Sequence, residues 1–553
     1  MQISLRLVSG SLGMLFFWLV ASLPTLAQAP AWQSVAPTTS TASSAIQFSA
    51  SDGSGNIVVA GYFSGTLMVG TSTLTSAGGR DVFVAKYSPA TGTYVWAQRA
   101  GSSGGEDIYG LAVSGASIYI AGFYSNGAPV FGNTTLPSSV VAGYVAKLTD
   151  TGSSAAFTWA KALSDGVGTY VTSLAVSGNS LYLGGDYGGA SLAVAGGTLA
   201  TGNASGDDAF VVKITDTGSS ATFNWGVSMG NASANFTNYA SVQGLVVSGN
   251  SVYAGTCFAG GLTLAGTTLT SLGSYDLALV KILDAGNSAS VATALRVGGG
   301  TGTEYVYGMG RQGNTIYLSG VAGSSSTWGG VTYAGPAGYV AKVQDSGSAL
   351  SMGWAWVAPA TSAAQLVPNG TGVYVSGNFS GTIPFGSSSL TSAGGRDGFV
   401  ARLNDAGSTV NVGWAQAAGG AGNDNFQGLA LSNGKVYASG TVIPVANFGA
   451  LTVATPPGTG VAVLGVLADP LLAVQPQRAG LAPGAYPNPA HAWAVVPVSA
   501  GTTELVLLDA LGREVRRYAA PTGATEVLLD LRGISAGPYV LRSGSTRQWL
   551  TVE

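Results

Sequence analysis

Charge is scarce in this chain. Only 8% of its 553 residues are Asp, Glu, Lys or Arg, against about 25% in an ordinary soluble protein. The formal net charge of −3 leaves no electrostatic basis for a nucleic-acid partner, whose phosphates need an excess of Lys and Arg. A single cysteine, Cys257, rules out a disulfide framework and a Cys-based zinc site. The single histidine, His491, stands near the C-terminal end. The rest of the chain therefore lacks the commonest general base and any Ser-His-Asp triad. No EF-hand loop or Walker motif occurs. These absences argue against an enzyme, and no cofactor is expected.

Glycine and apolar side chains are what the chain has in quantity. With 85 glycines and 21 prolines it stays below the roughly 25–30% Gly plus Pro of low-complexity disorder, and 46% hydrophobic residues suffice for a large core. The N-terminal stretch carries Arg6, an apolar run Leu12–Leu23 and the small-residue segment Pro24–Ala29. It reads as a signal peptide over 1–27, cleaved after Ala27, because the run is shorter than the roughly 20 residues of a spanning helix. No later segment reads as a membrane span, and the expected mature chain is an exported monomer.

A strand-like unit ending in glycine recurs as VVAGYF, IYIAGFY, LYLGGDY, VYAGTCF, IYLSGVA, VYVSGNF and VYASGTV. Taking Gly61, Gly122, Gly185, Gly255, Gly320, Gly377 and Gly440 as equivalent gives a mean spacing of about 63 residues. After each comes a Gly/Ser/Thr loop, then an apolar strand ending in Lys86, Lys147, Lys213, Lys281, Lys342 or Arg402. A strand opened by Trp96, Trp159, Trp225, Trp354 or Trp414 follows, with Thr293 in the corresponding place, and then a strand such as SLAVS before a short SGN turn. Period-2 alternation and four short strands per repeat predict an all-β seven-bladed β-propeller over 31–468. The last unit lacks a Trp strand, while Trp32–Ala36 resembles Trp96–Ala100. The N-terminal strand is thus expected to complete the last blade and close the fold.

These units resemble the bacterial β-propeller repeats called SBBP, most fully at Gly61–Lys86 and Gly377–Arg402. The resemblance implies the fold and adds no catalytic residue. Residues 469–484 read as a Pro/Ala/Leu-rich linker, after which charge rises and the repeat vanishes. Segment 485–553 has short strands between turns, a small Ig-like β-sandwich candidate. It resembles the C-terminal sorting domain of type IX secretion substrates in Tyr486-Pro487-Asn488-Pro489, in LLDALGREV with Asp509 and Gly512, and in ISAGPYVLR with Gly537 and Tyr539. The resemblance implies a type IX secretion machinery as partner, and release from or attachment to the outer cell surface.

A ligand is expected where the loops entering the first strand of each blade meet those between its second and third strands. Glu106, Asp107, Tyr109, Glu304, Tyr305, Asp424 and Asn425 stand there. Carboxylate, amide and aromatic groups together suit a sugar or, through oxygen ligands, Ca²⁺; the same residues also suit solvated turns. Asp81, Asp208, Asp276 and Asp397 read as turn-closing acceptors. The repeated cations read as solvated strand ends or a ring for an anionic glycan, and the Trp residues as packing between blades. The expected role is a non-catalytic binding or adhesion module. Alternatives are a hydrolase using carboxylates such as Glu106, Asp107 and Asp424, and a passive surface-layer component.

Overall fold

The computed structural model describes residues 29–200, 207–230, 239–264, 267–323, 326–328, 331–333, 335–454, 459–473, 490–498, 504–509, 512–521, 526–543 and 546–553. The segment 1–27 expected as a signal peptide, with Ala27, and Tyr486 to Pro489 lie outside them. The described chain divides into two compact units, Met1–Leu472 and Ala473–Glu553.

The larger unit is all-β and propeller-like, a succession of antiparallel sheets built on one four-strand plan. In the first, Ser44–Ser51, Ile57–Phe63, Asp81–Ser88 and Thr93–Gly101 pair in chain order. The plan recurs with inner strands Gly105–Ser114, Thr169–Ser177, Tyr239–Ser248, Glu304–Gln312, Thr361–Asn369 and Asn425–Ser432. Each inner strand packs beside the next, and Asn425–Ser432 packs beside Ser44–Ser51. The last sheet has only three strands of its own. Its fourth is Trp32–Pro37, which pairs antiparallel with Val461–Ala468.

Third strands such as Asp81–Tyr87 are buried along their whole length because sheets cover both faces, which explains their unbroken apolar sequence. The hydrophobic clusters lie between successive sheets: Trp159 of one packs with Leu181, Leu183 and Phe210 of the next. The Gly/Ser/Thr-rich segments expected as loops form small hairpins instead, as at Thr66–Val69 with Ser72–Thr75. Their own alternation and a Gly70 at φ +60° allow this. Several extend the outer edge of the preceding sheet, through Val194 on Leu163 and Ala446 on Gly420. Those edges are thereby covered.

The repeating glycine has a steric cause. A Cβ on Gly61, Gly122, Gly185, Gly320, Gly377 or Gly440 would lie 1.8–2.0 Å from a carbonyl oxygen of the adjoining inner strand, where a β-bulge turns the backbone inward. The fourth unit corrects the sequence alignment, since Thr256 and not Gly255 occupies this register opposite the bulge. Trp32 is likewise corrected. Ser34 pairs with Val466 where the other sheets place Trp opposite Lys, while Trp32 pairs with Leu467 across a bulge. Trp32 packs on Phe426 of its own sheet and faces the preceding one, packing on Phe448 and donating its indole N–H to the Ala417 carbonyl at 2.9 Å.

The smaller unit pairs Trp493–Pro497 with Glu526–Asp530. A second sheet runs in the order Glu514–Ala519, Glu504–Leu508, Gly537–Ser543, Thr546–Val552. Leu505, Leu507, Leu529, Leu541 and Leu550 fill its core.

Candidate functional site

The repeated cations are neither solvated nor an open ring. Lys147 Nζ lies 2.5 Å from Asp216 Oδ2, and the pairs Lys213–Asp284, Lys281–Asp345 and Lys342–Asp405 repeat this at 2.7–2.8 Å. Lys86 reaches Asp150 at 2.7 Å and Asp52 at 3.3 Å. Apart from Asp52, which is in the first hairpin of Lys86's own sheet, each aspartate belongs to the sheet after its lysine's, and both side chains are almost wholly buried. Three further donors complete the carboxylate of Asp216: the Tyr119 hydroxyl, the Trp159 indole and the Gly218 amide. Asp284 and Asp405 repeat the set with Tyr182, Trp225 and Gly286, and with Tyr317, Trp354 and Gly407. Burial opposes charge on these acids. The Lys, Tyr and Trp hydrogen bonds outweigh it and hold Asp216, Asp284 and Asp405 below the usual carboxylate range.

With every donor and acceptor so engaged, this clasp is a structural joint, and the anionic-glycan ring is withdrawn. Asp469 belongs to it, accepting from Tyr374 and Trp414, and so lies with the larger unit. The joint is missing between the last sheet and the first, where Val466 stands in the lysine register beside Tyr437. The Tyr437 hydroxyl is buried and finds no partner among the described residues.

The acids proposed for ligand binding separate into two kinds. Glu106, Glu304 and Asp424 open their inner strands and are 0–1% exposed. Glu106 accepts from the Ser102 amide and hydroxyl, and Asp424 from the Gly420 and Ile443 amides. Desolvation pushes Glu106 up to about 7 despite its Ser102 bonds. Glu106 and Asp424 thus hold loop backbone from inside, and Glu304 is buried at the start of its strand. Of the acids considered for hydrolysis, Glu106 and Asp424 are buried against their own loops, whereas Asp107 reaches the surface. Asp81, Asp276 and Asp397 close turns as expected, through the Ala77, Leu272 and Ala393 amides.

Asp107, Tyr109, Tyr305 and Asn425 do reach the surface. Asp107 pairs with Arg80, whose guanidinium lies 4.3 Å above the Tyr62 ring. Tyr109 is 40% exposed and stacks on Phe123 at 5.7 Å. Tyr305 stacks between Tyr275 and Tyr307, the latter 6.3 Å away with rings 6° apart and 44% exposed.

Of the residues that occupy the bulges, sequence reasoning named only Tyr109. Each inner strand carries one at the same register, and the bulged position holds Gln47, Tyr109, Thr172, Gln243, Tyr307 or Gln427, or in the sixth strand Ala364 and Gln365. An extra residue reverses the pleat locally and re-aims its side chain. These side chains line two adjoining depressions among the inner strands, of about 290 and 380 Å³, which share Phe48, Tyr109, Tyr307 and Gln365. No charged residue lines either depression. Among the described residues no group of three or more His, Cys, Asp or Glu is arranged to hold a metal. Cys257 is buried with its thiol on the Glu304 carbonyl.

Of the residues carrying the sorting-domain resemblance, Asp509 and Gly512 form the hairpin turn before Glu514–Ala519, with Gly512 at φ +80°. Tyr539 donates to the Ser535 carbonyl at 2.7 Å, two residues before Gly537.

No known protein family matches the chain, and no curated protein is similar to it. Solved structures resemble it weakly. Sqt1 of Saccharomyces cerevisiae shares 7% identity at a TM-score of 0.37, over 80% of this chain and 100% of its own. The phage phi92 endosialidase shares 11% at 0.38, over 93% of this chain and 78% of its own. The GH93 α-L-arabinofuranosidase of Fusarium graminearum shares 9% at 0.34, over 65% and 92%. Likenesses this slight carry no argument about what the chain does, and the description of its fold rests on its own strand pairing.

Proposed function

We propose that this chain is an exported, non-catalytic binding module: a seven-bladed β-propeller closed by its N-terminal strand, followed by a type IX sorting domain. The seven-blade reading is supported by the recurring four-strand plan and by the pairing of Trp32–Pro37 with Val461–Ala468. Export and sorting rest on the sequence of residues 1–27 and on the three ordered motifs of 485–553.

The binding role rests on one observation. The face at the start of the inner strands exposes aromatic and amide side chains, while its buried Glu106 and Asp424 hold loop backbone. A hydrolase would need two acids within reach of substrate. The test has two arms. In a type IX-secreting bacterium the intact chain reaches the cell surface or medium, and deletion of 485–553 retains it in the periplasm. Surface delivery of the deleted chain would overturn the sorting role. The purified protein adheres to at least one surface or matrix polysaccharide without shortening it. Release of smaller sugars would overturn the non-catalytic reading, and adherence to nothing would overturn the binding role.

A further inference from the structure

Resting on the binding-module reading, we infer that the depression formed by the bulge residues is a site for the end of a neutral glycan. Four of the bulge side chains are glutamines: Gln47, Gln243, Gln365 and Gln427. An amide offers a donor and an acceptor from one flat group, the pattern that a pair of neighbouring sugar hydroxyls complements. Gln365 already gives its Nε2 to the Tyr307 carbonyl at 3.1 Å, and Gln243 accepts from the Val306 amide at 3.1 Å. Each is thereby fixed in orientation by one end and keeps the other group for a ligand. Gln47 supplies an independent sign. Its Oε1 is buried and has no hydrogen-bond partner among the described residues, a state that costs free energy until a donor arrives.

Tyr109 and Tyr307 stand at the same register and share both depressions, offering ring faces to the C–H face of a pyranose. Charge selects among sugars. With no Asp, Glu, Lys or Arg in either lining, a uronate, sialate or sulfated residue would enter without a counter-ion, which is costly. Size selects further. Cavities of about 290 and 380 Å³ fall at the small end of ligand sites and admit roughly one or two sugar rings. The site therefore suits a chain terminus or a short branch and excludes the middle of a polymer.

The experiment is titration calorimetry of the purified protein with neutral mono- and disaccharides and their methyl glycosides, beside glucuronate and sialic acid. Tyr307→Ala, Gln427→Ala and Arg80→Ala variants are checked for folding by thermal melts. The expected result is binding of a neutral sugar, insensitive to salt, weakened about tenfold or more by Tyr307→Ala and by Gln427→Ala and unchanged by Arg80→Ala. Tyr307 is 44% exposed, and an unchanged melt of its variant shows that lost binding reports on the site alone. Preference for the acidic sugars, or neutral-sugar binding that survives both depression variants, would overturn the site. So would failure of every small neutral sugar. If adherence to polysaccharide persists in any of those cases, the binding-module reading stands and only this site falls.

Discussion

Lys213 Nζ lies 2.7 Å from Asp284 Oδ2, and the two residues belong to successive sheets 71 positions apart. Their side chains are 10% and 6% exposed, so the pair is a buried one whose two members depend on each other. Asp284→Ala strands the lysine, the Tyr182 hydroxyl and the Trp225 indole together. The expected loss is about 3–5 kcal/mol, read from urea unfolding of the whole chain. Replacing both partners, Lys213→Met with Asp284→Asn, costs less than Asp284→Ala alone, because no uncompensated charge remains.

Acid should loosen these joints. Burial opposes the charge of Asp216, Asp284, Asp345 and Asp405, but their hydrogen bonds prevail and their folded pKa values are depressed. A depressed carboxyl contributes stability that is present above its unfolded pKa, about 3.9, and is lost as pH falls through the folded value. The melting temperature of the chain should therefore drop below about pH 4, and Asp284→Asn should shrink that drop.

Glu106 works with the opposite sign. Desolvation raises it to about 7 from an ordinary 4.5, so its ionisation favours the unfolded chain as pH rises between those values. Glu106→Gln should remove part of the stability decline between pH 4.5 and 7 and leave the acid limb unchanged, as followed by melts across that range.

Gly122 has no room for a methyl group. Its Cβ would stand 2.0 Å from the Asp107 carbonyl oxygen, and backbone cannot step aside as a flexible side chain can. Gly122→Ala should cost about 1–3 kcal/mol by overpacking. Gly105→Ala, whose nearest contact is the Ser125 hydroxyl at 3.6 Å, should change stability far less.

Trp32 seals the last sheet by packing against Phe426 and Phe448. Trp32→Ala should cost about 3–5 kcal/mol. Deleting residues 30–37 should bare the edge of Val461–Ala468 and cause concentration-dependent association, visible by light scattering.

The strands and their grouping were legible because each repeat states them again: glycine, cation and tryptophan recur in register. The aspartate of the joint was equally visible, three residues beyond five of the six cations, at Asp150, Asp216, Asp284, Asp345 and Asp405, and at Asp469 three beyond Val466. Its meaning was not visible. Lys147 pairs not with Asp150, its neighbour in sequence, but with Asp216, and only the stacking of sheets brings the two together. Glu106 and Asp424 looked like ligand groups because sequence cannot distinguish a carboxylate aimed at solvent from one turned back onto its own loop. Apart from Tyr109, the bulge residues went unread for a related reason. A bulge shifts the alternation by a single place, too small a change to stand out in strands this short, so Gln47 and Gln427 looked like ordinary strand positions.

The pairing of Trp32–Pro37 with Val461–Ala468 sets an order on folding. The earliest strand to leave the ribosome has its partner among the latest, so most of the chain must be synthesised before that partner exists. Until then the nascent protein can assemble sheets one after another but cannot finish, and its first strand remains an unsatisfied edge. Moving that strand to follow Ala468, by circular permutation, would let the molecule complete itself in the order it is made and should quicken refolding without altering the final structure.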